Sequence, residues 1–193
     1  MKIGVLALQG AFAEHEKVLE QLGAECIELR QARDLAEPYD ALVLPGGEST
    51  VQGKLLKELS MFDTIKSQIQ NGMPVLATCA GAILLAETID GQMKGQPEQY
   101  FGTIPMCIKR NAYGRQLGSF HTEASVAGIG TVPMTFIRAP YIASVGNGVE
   151  VLAVVEERIV GVKYKNQMAF SFHPELDPDM RIHKTFLSMI SNV

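Results

Sequence analysis

Three side chains in this 193-residue chain have types and spacings suited to acyl-transfer chemistry: Cys79 and, 94 positions later, the pair His173 and Glu175. Cys79 lies in P-V-L-A-T-C-A-G, Pro74 to Gly81, an apolar run that ends at the thiol and leaves through two small residues into the helical pattern Ala80 to Ala86. A strand, a tight turn and a helix around one thiol put it at a helix N-terminus. There the thiolate is favoured, and small neighbours permit both a strained turn and close approach of a substrate. Taken alone, the same pattern also describes a buried cysteine serving as a small hydrophobe.

The segment S-F-H-P-E, Ser171 to Glu175, supplies what a nucleophile requires, a base and a carboxylate at i and i+2. An extended backbone, favoured at His173 by Pro174, sends both side chains from one face. Glu175 then orients the ring and stabilises the imidazolium, while His173 takes the thiol proton and returns it to a leaving group. A third segment, P-G-G-E-S-T from Pro45 to Thr50, ends an apolar run. Its two glycines let backbone N–H groups face a bound group closely, and Ser49 or Thr50 is placed to cap the next helix. The phosphate-loop spacing G-x-x-x-x-G-K-[ST] is missing. An oxyanion hole needs two donors, and the N–H groups of Gly47 and Ala80 are the natural pair.

The elements that must position these groups follow from hydrophobic periodicity. Residues 2 to 8 form a nearly continuous apolar run, as in a strand buried on both faces, and Phe12, His15, Val18, Leu19 and Leu22 recur at helical spacing before Gly23. Strands are expected at Glu25 to Leu29, Ala41 to Leu44 and into Cys79, with helices across Val51 to Leu59 and Phe62 to Ile69. Strand alternating with helix predicts βαβ units and a parallel sheet whose ligands bind beyond the carboxyl ends of the strands, where Gln9, Gly46, Gly47 and Cys79 fall. From about Gly95 the pattern changes to short runs, Phe101 to Ile108, Ser119 to Val126, Thr131 to Ile137, Val149 to Val155, Ile159 to Lys163 and Met168 to Phe172. They predict an antiparallel extension, closed by a terminal helix around Pro178 to Ser191 with Ile182, Phe186 and Ile190 on one face. With no repeat, low-complexity tract or linker, one domain over residues 1–193 is expected.

Composition bounds the rest. Seventeen Lys and Arg against 21 Asp and Glu give a formal charge of −4, without the basic footprint of a nucleic-acid binder. No run approaches the roughly 20 apolar residues of a membrane span, and MKIGVLALQG continues into Glu14, His15 and Glu16 without a cleavage-like site, so an unexported protein is expected. Three widely spaced cysteines, Cys26, Cys79 and Cys107, with no CxxC, suit a reducing cytoplasm rather than a disulfide framework or a cysteine zinc site. No metal triad or cofactor motif emerges. His15 and His183, on helical stretches with charged neighbours, read as surface groups, His121 as a strand residue, and Cys26 and Cys107 as packed thiols.

In these segments the chain resembles the class I, triad-type glutamine amidotransferases, an α/β family of flavodoxin-like, three-layer fold with a mostly parallel central sheet and an antiparallel extension. It is similar in particular to their vitamin B6 branch, the glutaminase subunits of pyridoxal 5′-phosphate synthase. The residues that carry this are G-V-L-A-L-Q-G at 4 to 10, L-P-G-G-E-S-T at 44 to 50, A-T-C-A-G at 77 to 81, R-N-A-Y-G-R-Q at 110 to 116, F-I-R-A-P at 136 to 140 and F-H-P-E-L at 172 to 176. The resemblance implies hydrolysis of L-glutamine through a thioester on Cys79, with His173 as acid and base and Glu175 orienting it, and no cofactor. It implies glutamine contacts from Gly47, Glu48, Ser49, Arg110, Ile137 and Arg138, and a supporting role for Gln9 in the oxyanion loop once a partner docks. That partner would be a (β/α)8-barrel synthase subunit that consumes the ammonia. One position departs from the pattern: Ala77 stands where many relatives have Gly, and a requirement for φ > 0 there would strain it. Tolerance is expected. Two rival readings are another Cys-dependent α/β hydrolase or peptidase of similar topology, and a glutamine-sensing subunit without turnover.

Overall fold

The computed structural model describes residues 1–90, 99–110 and 119–190. The first half alternates strand and helix: β1 (Lys2–Leu6), α1 (Phe12–Gln21), β2 (Glu25–Leu29), β3 (Ala41–Leu44), α2 (Ser49–Glu58), α3 (Phe62–Gln70), β4 (Val75–Thr78) and α4 (Ala80–Leu85), with a short 3-10 turn at Ala32–Ala36. Short strands follow: β5 (Ala86–Ile89), β6 (Ile104–Lys109), β7 (Ser119–Val126), β8 (Gly130–Ile137), β9 (Tyr141–Val145), β10 (Glu150–Val155), β11 (Arg158–Tyr164) and β12 (Gln167–Phe170). A 3-10 turn at Pro174–Leu176 and α5 (Arg181–Ile190) complete the order.

The twelve strands among the described residues join one sheet, with main path β2-β1-β3-β4-β12-β11-β10-β7-β8. Its first five strands are parallel, as alternating strand and helix require, and β11, β10, β7 and β8 are antiparallel. A side branch of β5, β6 and β9 joins at β11. The period of two along each central strand divides the core. Ile3, Val5, Ala41, Val43, Leu76, Met168 and Phe170 face one way, onto Leu19 of α1 and Ile182 and Phe186 of α5. Leu6, Leu42, Leu44, Val75, Ala77 and Ala169 face the other way, onto Leu56 of α2, Phe62, Ile65 and Ile69 of α3, and α4. This is the expected three-layer α/β arrangement. Fully burying one such Ile or Phe contributes about 1.5–3 kcal/mol, so both helical layers are firmly held to the sheet.

Three local differences from the sequence reading have physical causes. The helix after Cys79 stops at Leu85 and the chain turns directly into β5, an edge strand formed by pairing with β6. β9 buries only Ile142 fully and is defined by its partners β6 and β11 rather than by its own apolar content. The helix over α2 has Glu48 at its N-cap with no side-chain cap bond, so neither Ser49 nor Thr50 caps it. The end of the expected terminal helix at Ser191 lies outside the described residues, as do residues 111–116 of R-N-A-Y-G-R-Q.

Candidate active site

Cys79 follows β4 directly and is the N-cap of α4, with φ 47° and ψ −102°. A non-glycine residue held there costs on the order of 1–3 kcal/mol, and such strain persists where the surroundings fix it. They do so here. The Cys79 N–H donates to the Phe170 carbonyl at 2.8 Å. Gly81 lets α4 sit against β3, since a Cβ there would overlap the Leu44 carbonyl oxygen. The strained position in the elbow is thus Cys79 itself, the candidate nucleophile. Ala77 lies in regular β4, paired with Leu44 and Ala169, and is not among the residues with positive φ, so its methyl group costs no backbone strain.

Parallel pairing of β12 with β4, with Phe170 opposite Thr78, brings the chain after β12 to the same sheet edge as Cys79. His173 is pinned by its N–H to the Thr135 carbonyl at 2.8 Å, and Asp177 accepts from the Thr135 N–H and hydroxyl at 3.1 and 3.0 Å. The pair His173 and Glu175 meets as expected, Nδ1 to Oε1 at 2.7 Å. The backbone that achieves this is different. His173 is the N-cap of the 3-10 turn Pro174–Leu176, and the turn folds Glu175 back beneath the ring rather than projecting both side chains from an extended strand.

The electrostatics favour a charged imidazole at His173. Burial works against charge on His173, but its hydrogen bonds to Cys79 and Glu175 and the charges of both raise its pKa to about 10. Burial also pushes the Glu175 carboxyl upward, and His15 and His173 outweigh that, leaving it below its usual value. Because burial lowers the pKa of His15 as well, the cation facing Glu175 is His173.

A cavity of about 290 Å³ opens over the thiol, near the small end of the ~300–1,000 Å³ range of ligand pockets. Its walls gather most of the expected residues: Cys79, His173, Gly47, Glu48, Ser49, Arg110, Ile137, Arg138 and Gln9. Ile83, one turn into α4, and Pro140 complete it. Both had a readable signal, Ile83 at i+4 from the thiol and Pro140 at the end of F-I-R-A-P. Ala80 and Glu175 are buried behind this wall rather than on it. The loop after β3 is bracketed by two glutamines. Gln9 Oε1 accepts from the Glu48 N–H at 2.7 Å, while Gln52 Nε2 donates to the Gln9 and Pro45 carbonyls at 2.8 and 3.2 Å. Gly46 must be glycine, because a Cβ there would overlap the His173 ring.

The family model of the SNO glutamine amidotransferases matches residues 5–192. The chain belongs to that family. Among relatives of this SNO chain, the pyridoxal 5′-phosphate synthase subunit PdxT of Desulfitobacterium hafniense (strain Y51) is 60% identical over 192 residues, covering 100% of this chain and 94% of the relative. The PdxT of Streptococcus pneumoniae serotype 2 is 55% identical, covering 98% and 97%. A crystal structure of a glutamine amidotransferase superposes with TM-score 0.91 at 42% identity, over 98% of each chain.

The structure overturns one reading outright. His15 and His183 are fully buried, not surface groups. The helical stretches carrying them face α1 and α5 inward onto the sheet, and each polar ring finds a buried partner in the other, His15 Nδ1 to His183 Nε2 at 3.0 Å. Their charged sequence neighbours masked this. His121 lies on β7 as expected, against Thr135 at 3.1 Å. Cys26 and Cys107 are partly buried free thiols, and burial pushes the Cys26 pKa up to about 12.

Proposed function

We infer that the chain hydrolyses L-glutamine to L-glutamate and ammonia and delivers the ammonia to a pyridoxal 5′-phosphate synthase partner, in vitamin B6 biosynthesis. The observation that carries this is a cavity lined by Cys79 and His173, with Glu175 bonded behind the ring, in a chain of the SNO glutamine amidotransferase family. The full-length relatives are synthase subunits, which favours this reading over an unrelated cysteine hydrolase or a sensor without turnover.

In the proposed mechanism the Cys79 thiolate attacks the side-chain amide carbon of glutamine. The oxyanion is met by the N–H groups of Gly47 and Ala80, each worth on the order of 3 kcal/mol in the barrier. His173 gives its proton to the departing nitrogen, ammonia leaves, and a γ-glutamyl thioester remains on Cys79. His173 then takes a proton from water, the hydroxide adds to the thioester, and glutamate leaves with the thiolate restored. Throughout, Glu175 Oε1 keeps Nδ1 protonated and the ring aimed at the sulfur. Arg110 and Arg138 face the glutamine α-carboxylate, since a guanidinium pairs with a carboxylate in bidentate fashion. Glu48, Ser49 and Ile137 line the remainder, and Gln9 steadies the oxyanion loop.

We take residues 1–193 as one glutaminase domain, its partner as a (β/α)8-barrel subunit and its compartment as the cytoplasm, which suits three free thiols. Among the described residues no helix is long and apolar enough to cross a membrane. Incubation with glutamine, with and without the synthase subunit, tests the reading. Ammonia release stimulated by the synthase is expected, and none in either condition refutes it.

A further inference from the structure

We propose that His15 is a positioning residue of this active site: its Nε2–H, presented in a tautomer selected by His183, holds the second oxygen of Glu175 and thereby keeps the first on the His173 ring. The proposal rests on the glutaminase reading and extends its machinery to α1 and α5. His15 Nε2 lies 3.3 Å from Glu175 Oε2 and 3.1 Å from the Thr78 hydroxyl, at full burial. Oε2 is itself buried and has no full hydrogen bond among the described residues, so a small rotation of the His15 ring meets an unpaired carboxylate oxygen. Leaving such an oxygen unserved is costly, which favours an N–H rather than a lone pair at Nε2.

That choice fixes the rest. With Nε2 protonated and the ring neutral, Nδ1 must accept, and the group 3.0 Å from it is His183 Nε2, which therefore donates. His183 Nδ1 is then a lone pair, and it is the one ring nitrogen of the pair without a hydrogen-bond partner. The opposite assignment would bury an unpaired N–H on His183 and point the His15 lone pair at a carboxylate. Thr78 extends the arrangement, because its hydroxyl also accepts from the Gly46 N–H at 3.1 Å. The charged and titratable groups that act on His15 are Glu175, His173, His183 and Glu14.

The test compares His15→Leu, His15→Gln and His183→Leu with the wild type, each in complex with the synthase subunit. Glutaminase kinetics are read together with the pH dependence of Cys79 alkylation by iodoacetamide. Loss of an outer partner of this kind costs about 10–100-fold, so His15→Leu is expected to lose that in kcat with KM for glutamine little changed. Its alkylation midpoint should move to higher pH, as a less well held Glu175 stabilises the imidazolium less. His15→Gln, which retains an N–H donor, should recover most of the loss, and His183→Leu should shift the midpoint the same way by less. Wild-type kcat and pH profile in a folded His15→Leu variant would overturn the proposal. So would a His15→Gln variant no better than His15→Leu or, if His15→Leu does not fold, unshifted profiles with a large kcat loss in His15→Gln. Alkylation requires no glutamine, so failure of the wild type to release ammonia condemns the glutaminase reading separately.

Discussion

His173 Nδ1 and Glu175 Oε1 stand 2.7 Å apart because a 3-10 turn, not a strand, joins the two residues. The turn makes the contact short and buried, and it fixes which ring nitrogen remains to serve Cys79. Glu175→Gln preserves the shape but removes the charge that sustains the imidazolium. We expect kcat to fall by about 10²–10⁴-fold with modest change in KM, read by ammonia release in the presence of the synthase subunit. A loss under tenfold would mean that Glu175 only packs beneath the ring.

The buried histidine pair predicts an acid limb in stability. Burial lowers His15, and burial together with His15 lowers His183 to about 3, so both rings are neutral in the folded protein where the unfolded chain binds protons. Their contribution is complete above pH 6.5 and is lost as pH falls below it, at up to about 1.4 kcal/mol per pH unit for each group. Glu175, also lowered, acts in the same direction at lower pH. His173, raised to about 10, acts oppositely: its contribution is complete below pH 6.5 and declines as pH rises towards 10. Urea unfolding at pH 5, 6.5 and 9 should therefore give a maximum near the middle value. His183→Phe should flatten the acid limb, and an unchanged acid limb in that variant would contradict the assignment.

Ala77 occupies a buried strand position rather than a left-handed one. Ala77→Gly loses a packed methyl and gains chain entropy on unfolding, together about 1–2 kcal/mol of stability, without relieving strain at Cys79. Thermal unfolding and stimulated turnover check this. A large gain in turnover would show that the methyl group hinders the elbow.

That Cys79, His173 and Glu175 come together was legible in the sequence because each carries a local signal: an apolar run into Cys79 and a histidine two residues before a carboxylate. The three-layer fold was legible because βαβ periodicity is strong over the first 90 residues. What escaped depends on tertiary partners. β5 and β9 are strands by virtue of their neighbours in the side branch. The turn at Pro174 replaced an extended segment because Thr135 and Asp177 tie both its ends. His15 and His183 are separated by 168 positions and flanked by charge, so nothing local marks them as one buried pair.

The central claim is that Cys79 carries a γ-glutamyl group in each turnover. Intact mass spectrometry after rapid acid quench of the protein with glutamine and the synthase subunit tests it most directly. The account predicts an adduct of one glutamyl group on the Cys79 peptide, absent from Cys79→Ala, whose ammonia release is abolished while its complex with the synthase subunit still forms. Undiminished ammonia release from Cys79→Ala would contradict it.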